Sequence, residues 1–350
     1  MITMKPENVY LNGDGAAVVI IDQTLLPGEI RLLELSKPDE LYEAIKSLRV
    51  RGAPAIGIFA AYALYVILLQ TGTKDTDQFR NNARVYSDML ASARPTAVNL
   101  AAQLNRMMSL INSNGGLSVT QLLGVLREEA EAIQNEDILM CRAISEHGLS
   151  LVSDGFGIMT HCNAGPLATS LYGTALGPIL LAQEQGMKLR AFCCETRPLL
   201  QGARLTAFEL NKAGVDCTLI CDNMASIVMK EGKIDAVFVG CDRLARNGDA
   251  ANKIGTSGAA ILAKHYSIPF YVFCPSSTYD QDCSSGDEII IEQREPEEIK
   301  ELYFNRPTAP KDVKCYNPAF DVTDNSLITA IITEKGIHRA PYGESLRMLG

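Results

Sequence analysis

The 350-residue chain has no Gly-x-Gly-x-x-Gly fingerprint after any strand-like run and no Gly-Lys-Ser/Thr phosphate loop. Dinucleotide redox chemistry and P-loop nucleotide hydrolysis therefore lose ground. It also lacks a basic tract and any interleaving of aromatic with basic residues, and its formal net charge is -9, which together argue against an extended nucleic-acid surface. Repeats and low-complexity runs are absent. Ten cysteines stand at irregular spacings. Cys217 and Cys221 come nearest to a ligand pair, but no second Cys or His pair completes a zinc set, and no metal is expected. No signal-peptide pattern follows Met1-Ile-Thr-Met-Lys5, so reduced thiols in a cytoplasmic protein are expected.

What is present fits a globular protein. Hydrophobic residues make up 47% of the chain, enough for a large core or two domains. The character changes near residues 130–150, which sets an expected helical domain over 1–130 and a second domain over 131–350. In the first, strand-like runs at 16–21 and 30–35 lead into helical patterns at 40–48, 55–69, 78–92 and 97–111. The apolar helix at 56–69 is shorter than the ~20 residues of a membrane span and carries two tyrosines, so it reads as a core helix. A long polar–apolar pattern at 119–147 joins the halves. From residue 157 onward, short apolar runs at 157–160, 189–193, 216–220, 234–239 and 270–273 alternate with helix-length segments. That alternation signals βαβ units in a Rossmann-like, parallel, doubly wound sheet, and so an α/β protein overall.

The most informative stretch is Val239-Gly-Cys-Asp-Arg-Leu-Ala-Arg-Asn-Gly-Asp-Ala-Ala-Asn-Lys-Ile-Gly-Thr256. Gly240 releases the chain so that Asp242 and Arg243 stand beyond a buried strand, the edge where open α/β sheets bind ligands. Asn252 and Lys253 are expected to open the next helix, where an ammonium and free backbone N–H groups would meet an anion. A solvated turn with an incidental ion pair is the plainer reading. Thr160-His-Cys-Asn-Ala-Gly-Pro166 follows the first strand and is expected to run into a helix over 167–183. Its amino terminus would stabilise a thiolate at Cys162, flanked by His161 and Asn163. A free cysteine is otherwise a small buried hydrophobe.

Glu195-Thr-Arg-Pro-Leu-Leu-Gln-Gly-Ala-Arg204 follows the second strand and offers Gln201 with Arg197 and Arg204, which would equally serve to pair Glu195 or Glu209. In the amino-terminal half, Arg51-Gly-Ala-Pro-Ala-Ile-Gly57 places an arginine and a glycine before a helix, a phosphate grip. Ala93-Arg-Pro-Thr-Ala97 repeats that logic with Arg94, although a lone arginine at a helix boundary is commonly only solvated. The carboxyl end, residues 338–350, reads as a mobile tail.

These motifs, with Asp222-Asn-Met-Ala225, Asn247-Gly-Asp249 and Asn317-Pro-Ala-Phe-Asp-Val322, resemble the methylthioribose-1-phosphate isomerase family over nearly the whole chain. The same fold is shared by ribose-1,5-bisphosphate and 5-deoxyribose-1-phosphate isomerases and by the regulatory subunits of eukaryotic initiation factor 2B. The resemblance implies a phosphorylated pentose as ligand, with phosphate contacts at Arg51, Gly52, Ala53, Arg94, Gln201, Asn252 and Lys253. It makes Cys162 and Asp242 the catalytic pair. Asp242, kept protonated by burial, is expected to donate to the ring oxygen and Cys162 to remove the C2 proton, with a direct C2-to-C1 hydride shift as the competing route. No metal or redox cofactor is required, no nucleic acid or membrane is involved, and a homodimer joined through the carboxyl-terminal domains is implied. Three positions depart from the family pattern. Cys241 stands where alanine is usual, Leu100-Ala-Ala-Gln-Leu104 lacks a tryptophan, and Gly255-Thr-Ser-Gly258 lacks a neighbouring tyrosine. They bear on the pocket for the sugar's 5-substituent and leave the catalytic pair intact. A binding protein of the initiation-factor type and a 5-deoxyribose-1-phosphate isomerase are the alternative readings. A ribose-1,5-bisphosphate isomerase would need a second cationic site, and none is evident.

Overall fold

The structure, a computed structural model, describes residues 8–95 and 97–349. The stretch Met1–Lys5, Thr96 of the Arg94 motif and Gly350 lie outside the described residues. Two compact units emerge: Met1–Leu139 with Pro166–Leu171, and Met140–Gly165 with Tyr172–Gly350.

The first unit begins with an antiparallel sheet in the order β1-β2-β3, made of β1 (Val9–Leu11), β2 (Val18–Ile21) and β3 (Leu32–Leu35). Helices α1 (Pro38–Lys46), α2 (Ala53–Gln70), α3 (Thr76–Ser92) and α4 (Val98–Ser113) follow, and then α5 (Val119–Leu149), whose residues from Met140 on belong to the second unit. Asp75 caps α3 by accepting from the Gln78 N–H at 2.7 Å, satisfying one of the free amides of the first turn. Helix α2 has the length and hydropathy of a membrane span, yet Ala55 to Leu68 are all buried inside the unit. It is a core helix, as its tyrosines suggest, and Tyr62 hydrogen-bonds Gln134 of α5 at 2.7 Å. Gly57 lets α4 approach α2, since a Cβ there would sit 3.0 Å from the Asn99 carbonyl and from Gln103 Cγ.

In the second unit a seven-stranded sheet runs β14-β13-β10-β7-β4-β5-β6. Its strands are β4 (Gly157–His161), β5 (Arg190–Cys194), β6 (Asp216–Ile220), β7 (Ala236–Val239), β10 (Phe270–Phe273), β13 (Ala330–Thr333) and β14 (Gly336–His338). Every neighbouring pair is parallel except β13–β14. Intervening helices are α6 (Gly177–Glu184), α7 (Ala207–Lys212), α8 (Ala225–Lys230) and α9 (Thr256–His265). Residues of one strand face pack in one core (Met159, Val237, Val239, Val272) and their alternates in another (Ile158, Ala236, Phe238, Phe273). Burial on both faces is why the central strands β4, β7 and β10 read as unbroken apolar runs. The chain leaves β4 toward β5 and β6, then returns to lay β7 on the other side of β4, so the strand order reverses between β4 and β7. The crevice at such a reversal is where ligands sit in open α/β sheets.

The expected α/β class, with a helical first part and a parallel sheet in the second, holds. Several local expectations do not. A second sheet, β11-β8-β9-β12, is formed by β8 (Arg243–Ala245), β9 (Ala250–Lys253), β11 (Tyr279–Asp280) and β12 (Phe320–Thr323). Asn252 and Lys253 therefore end a strand paired with β12 rather than opening a helix, and α9 starts only at Thr256, after Gly255 turns the chain at φ 100°. The helix expected over 167–183 is broken. A 3-10 turn at Pro166–Ala168 belongs to the first unit, Tyr172 and Gly173 adopt positive φ, and α6 begins at Gly177. No long helix thus starts beside Cys162. The carboxyl end is also not a mobile tail, because β14 is followed by α11 (Tyr342–Ser345) and Tyr342 and Leu346 are buried in the sheet's core. Helix α10 (Glu297–Lys300) lies in the preceding long connection.

Candidate functional site

Cys162 follows the last residue of β4, and Gly240-Cys-Asp242 follows the last residue of β7. His161 pairs with Val239 across that junction. A Cβ at Gly240 would lie 2.9 Å from Ala164 Cβ and 4.0 Å from Asn252 Oδ1, so the loops after the two strands touch and Asn252 stands beside them. The Asp242 N–H donates to the Ala251 carbonyl at 2.9 Å. Cys162, Asp242 and Asn252 are thereby gathered at one sheet edge, at the strand-order reversal.

Cys162 is buried and has φ 66°, a left-handed conformation that a non-glycine residue holds only when its surroundings enforce it. Its N–H donates to Thr196 Oγ1 at 2.8 Å, and its carbonyl accepts from Thr206 Oγ1 at 2.6 Å. Thr196, also left-handed at φ 65°, is held by Asp222, whose Oδ1 accepts from the Thr196 N–H at 2.8 Å and whose Oδ2 accepts from the Arg197 N–H at 2.7 Å. Asn163 donates to Thr206 Oγ1 at 3.1 Å and to Glu209.

His161, Cys194 and Asp222 bring a ring nitrogen, a thiol and a carboxylate oxygen within 4.8 Å of one another. His161 and Asp222 are already engaged in the fold. His161 Nε2 meets the Ile254 carbonyl at 2.8 Å, and a carbonyl only accepts, so Nε2 carries the proton. Burial lowers the imidazole below its usual value and outweighs the Asp222 carboxylate 3.9 Å from Nδ1, so the ring is neutral. Burial likewise pushes the Cys194 thiol up to about 12.

Asp242 itself is exposed. The burial expected of this residue is thus not found in the chain alone. The neighbouring Arg243 is taken up by Asp280, with Nε 2.9 Å from Oδ2. This is the plain ion pair that the sequence left open. Gln201 is 7% exposed, and its Oε1 accepts no hydrogen bond among the described residues, a state that buried amides rarely keep. Lys253 donates to the Ala319 carbonyl at 2.9 Å with its Nζ 4.4 Å from the Phe320 ring centre. Arg197 bonds the Pro198 and Ile299 carbonyls and stacks on Phe304, while Arg204 stacks on Tyr303. Cys217 Sγ lies 3.3 Å from Cys193 Sγ.

In the first unit, Arg51, Gly52 and Ala53 lead into α2. Gly52 has φ 97°, and a Cβ there would come within 2.5 Å of Ala168, so only glycine fits. Arg94 lies in the turn after α3, its N–H donating to the Ala91 carbonyl at 3.3 Å. Thr206 escaped the sequence reading altogether. Its only signal was a hydroxyl four residues beyond Gly202, in a segment that forms a π turn, Gly202–Thr206.

The chain matches the model of the "Initiation factor 2 subunit family" over residues 49–340, and it belongs to that family. Within it, the chain is 59% identical over 343 residues to the methylthioribose-1-phosphate isomerase of Symbiobacterium thermophilum, covering 98% of this chain and 96% of that one. It is 57% identical over 341 residues to the 5-deoxyribose 1-phosphate isomerase of Petrotoga mobilis, covering 97% and 98%. Among solved structures, 5-methylthioribose 1-phosphate isomerase from Pyrococcus horikoshii superposes with a TM-score of 0.93 at 39% identity, covering 98% of this chain and 95% of that one.

Proposed function

We propose that this chain is an aldose–ketose isomerase that converts 5-methylthioribose 1-phosphate to 5-methylthioribulose 1-phosphate, a step of methionine salvage, with Cys162 as base and Asp242 as proton donor. The observation that carries this reading is the meeting of the Cys162 and Asp242 loops at the reversal between β4 and β7.

A sugar phosphorylated at C1 has no free aldehyde in equilibrium with its ring, so ring opening needs an acid. Asp242 gives its proton to the ring oxygen as the C1–O bond breaks, and the electrons of the C2–H bond form a C1=C2 double bond while Cys162 takes the proton. Cys162 then returns that proton to C1, and the C2 hydroxyl gives its proton to the Asp242 carboxylate. This leaves a ketone at C2 and both side chains as they began. Since Asp242 is exposed, its desolvation comes with the substrate seated over it. Gln201, whose buried Oε1 has no partner among the described residues, Asn252 beside the loop, and the adjoining Lys253 hold the phosphorylated sugar. Arg51, Gly52, Ala53 and Arg94 are proposed phosphate contacts by resemblance. Ten free thiols suit a cytoplasmic protein, and a homodimer is proposed on the same resemblance.

5-Deoxyribose 1-phosphate is the second substrate to test, because a relative of nearly equal identity carries its name. A difference confined to C5 is worth only about 1–3 kcal/mol in an apolar pocket. The test is kcat/KM of the purified protein with methylthioribose 1-phosphate, 5-deoxyribose 1-phosphate and ribose 1,5-bisphosphate, following the ketone carbon by NMR. Preference for the first supports methionine salvage. Equal or better use of the second reassigns the substrate, and turnover of none sinks the isomerase reading in favour of a binding role.

A further inference from the structure

We propose that Thr196 and Thr206 are positioning residues for Cys162, gripping its peptide from both sides and fixing the direction in which its thiol points. This rests on the isomerase reading above and adds to it which groups aim the base.

A threonine hydroxyl has one proton to give. Thr206 gives its proton to the Cys162 carbonyl at 2.6 Å and accepts from Asn163 Nδ2 at 3.1 Å. Thr196 gives its proton to the Cys194 carbonyl at 3.0 Å and accepts from the Cys162 N–H at 2.8 Å. Both residues are fully buried at 0% exposure, so water does not compete for these bonds. Each hydroxyl is saturated in one sense only, which makes the grip directional. Cys162 needs such a grip because its left-handed φ of 66° is disfavoured for any residue with a Cβ, and it would relax if either hydrogen bond were lost. Relaxation would swing the Cα–Cβ bond, and the sulfur with it, away from the reacting carbon.

The π turn supplies one half of the grip. One residue wider than an ordinary helical turn, Gly202–Thr206 carries Thr206 to the Cys162 carbonyl while Gly202 lies against the end of β5. A Cβ at Gly202 would fall 1.7 Å from the Cys194 carbonyl oxygen. Asp222 supplies the other half, holding the left-handed Thr196 through its backbone N–H. The base is thus set by two loops, after β5 and β6, whose own side chains do not take part in the proton transfer.

The experiment compares Thr206→Val and Thr196→Val, which keep shape and remove the hydroxyl, with Thr206→Ser and Thr196→Ser, which keep it. Steady-state kinetics, circular dichroism and the rate of iodoacetamide alkylation at the Cys162 peptide are measured for each. The valine variants are expected to lose about 100-fold in kcat with KM within about threefold of wild type, as a misaimed group does. Alkylation of Cys162 should change while the other nine cysteines react as before, and the serine variants should recover most of the kcat. A purely structural role would lower the melting temperature and leave kcat of the folded protein intact, and that result overturns the proposal. Should Thr206→Val not fold, Thr196→Val carries the same comparison from the other side of the peptide. Cys162→Ser is run alongside. If it keeps wild-type turnover, the isomerase reading of Cys162 fails. If it is inactive and both valine variants keep full kcat, only the positioning inference fails.

Discussion

Gly255 lies against the imidazole of His161 so closely that a Cβ on Gly255 would stand 2.9 Å from the ring's Cε1 and 3.0 Å from its Nε2. Gly255 also holds φ 100° at the start of α9. Gly255→Ala is therefore expected to cost about 1–3 kcal/mol, the range for a strained backbone position, and to weaken the His161 bond to Ile254. Urea denaturation measures it, and an unchanged midpoint would show that the loop gives way freely. Burial lowers the His161 value below the usual 6.5, so the folded protein binds the ring proton less readily than the unfolded chain. This group's contribution is therefore present above about pH 6.5 and declines as pH falls below it.

Asp249 ties together three distant segments. It accepts from Asn247 Nδ2 at 2.7 Å, from the Gly286 N–H at 2.9 Å, and from the Asn325 N–H and Nδ2 at 2.9 and 2.8 Å. Burial pushes its carboxyl up, but these hydrogen bonds outweigh burial and hold it below 3.8. Its stabilising contribution is thus present above 3.8 and lost as pH falls through the lower folded value. Asp249→Ala is expected to cost about 2–3 kcal/mol at neutral pH, as for hydrogen bonds to a charged group. The gap from wild type should narrow in acid. A constant gap from pH 7 to pH 3 would refute the assignment.

Gln201 presents the opposite case, a buried carbonyl oxygen with no partner among the described residues. Gln201→Leu removes an unpaired polar atom at similar volume, so the melting temperature should hold or rise while KM for the sugar phosphate rises about tenfold, the effect of one lost hydrogen bond of roughly 1.4 kcal/mol. A fall in stability with KM unchanged would make Gln201 structural.

Removal of the proposed acid or base, in Asp242→Asn or Cys162→Ser, should lower kcat by about 10²–10⁴-fold with little change in phosphate affinity. Product formed in deuterated water should carry deuterium at C1. Complete retention of the original hydrogen would favour direct hydride migration, or a proton shielded from solvent during its return.

The run of apolar strands separated by helices declared the parallel sheet, and motifs such as Arg51-Gly-Ala-Pro and Thr160-His-Cys-Asn declared the family. Both signals are local. Asn252 and Lys253 were misread because the apolar pattern continuing to Ala263 hides the turn at Gly255, and pairing with β12, some 70 residues later, is not encoded in local periodicity. The carboxyl end was misread for a similar reason: Tyr342 and Leu346 look like isolated apolar residues until the core of the sheet receives them.

The sequence by itself determined the class of fold, the family and the residue types available for catalysis, because periodicity and short motifs survive in one dimension. Only the tertiary structure decided that Asp242 meets water, that Arg243 is spent on Asp280, and that Cys162 is held left-handed by hydroxyls 34 and 44 residues away. Those decisions belong to single hydrogen bonds and ion pairs between distant segments, which exist only once the sheet has brought its loops to one edge.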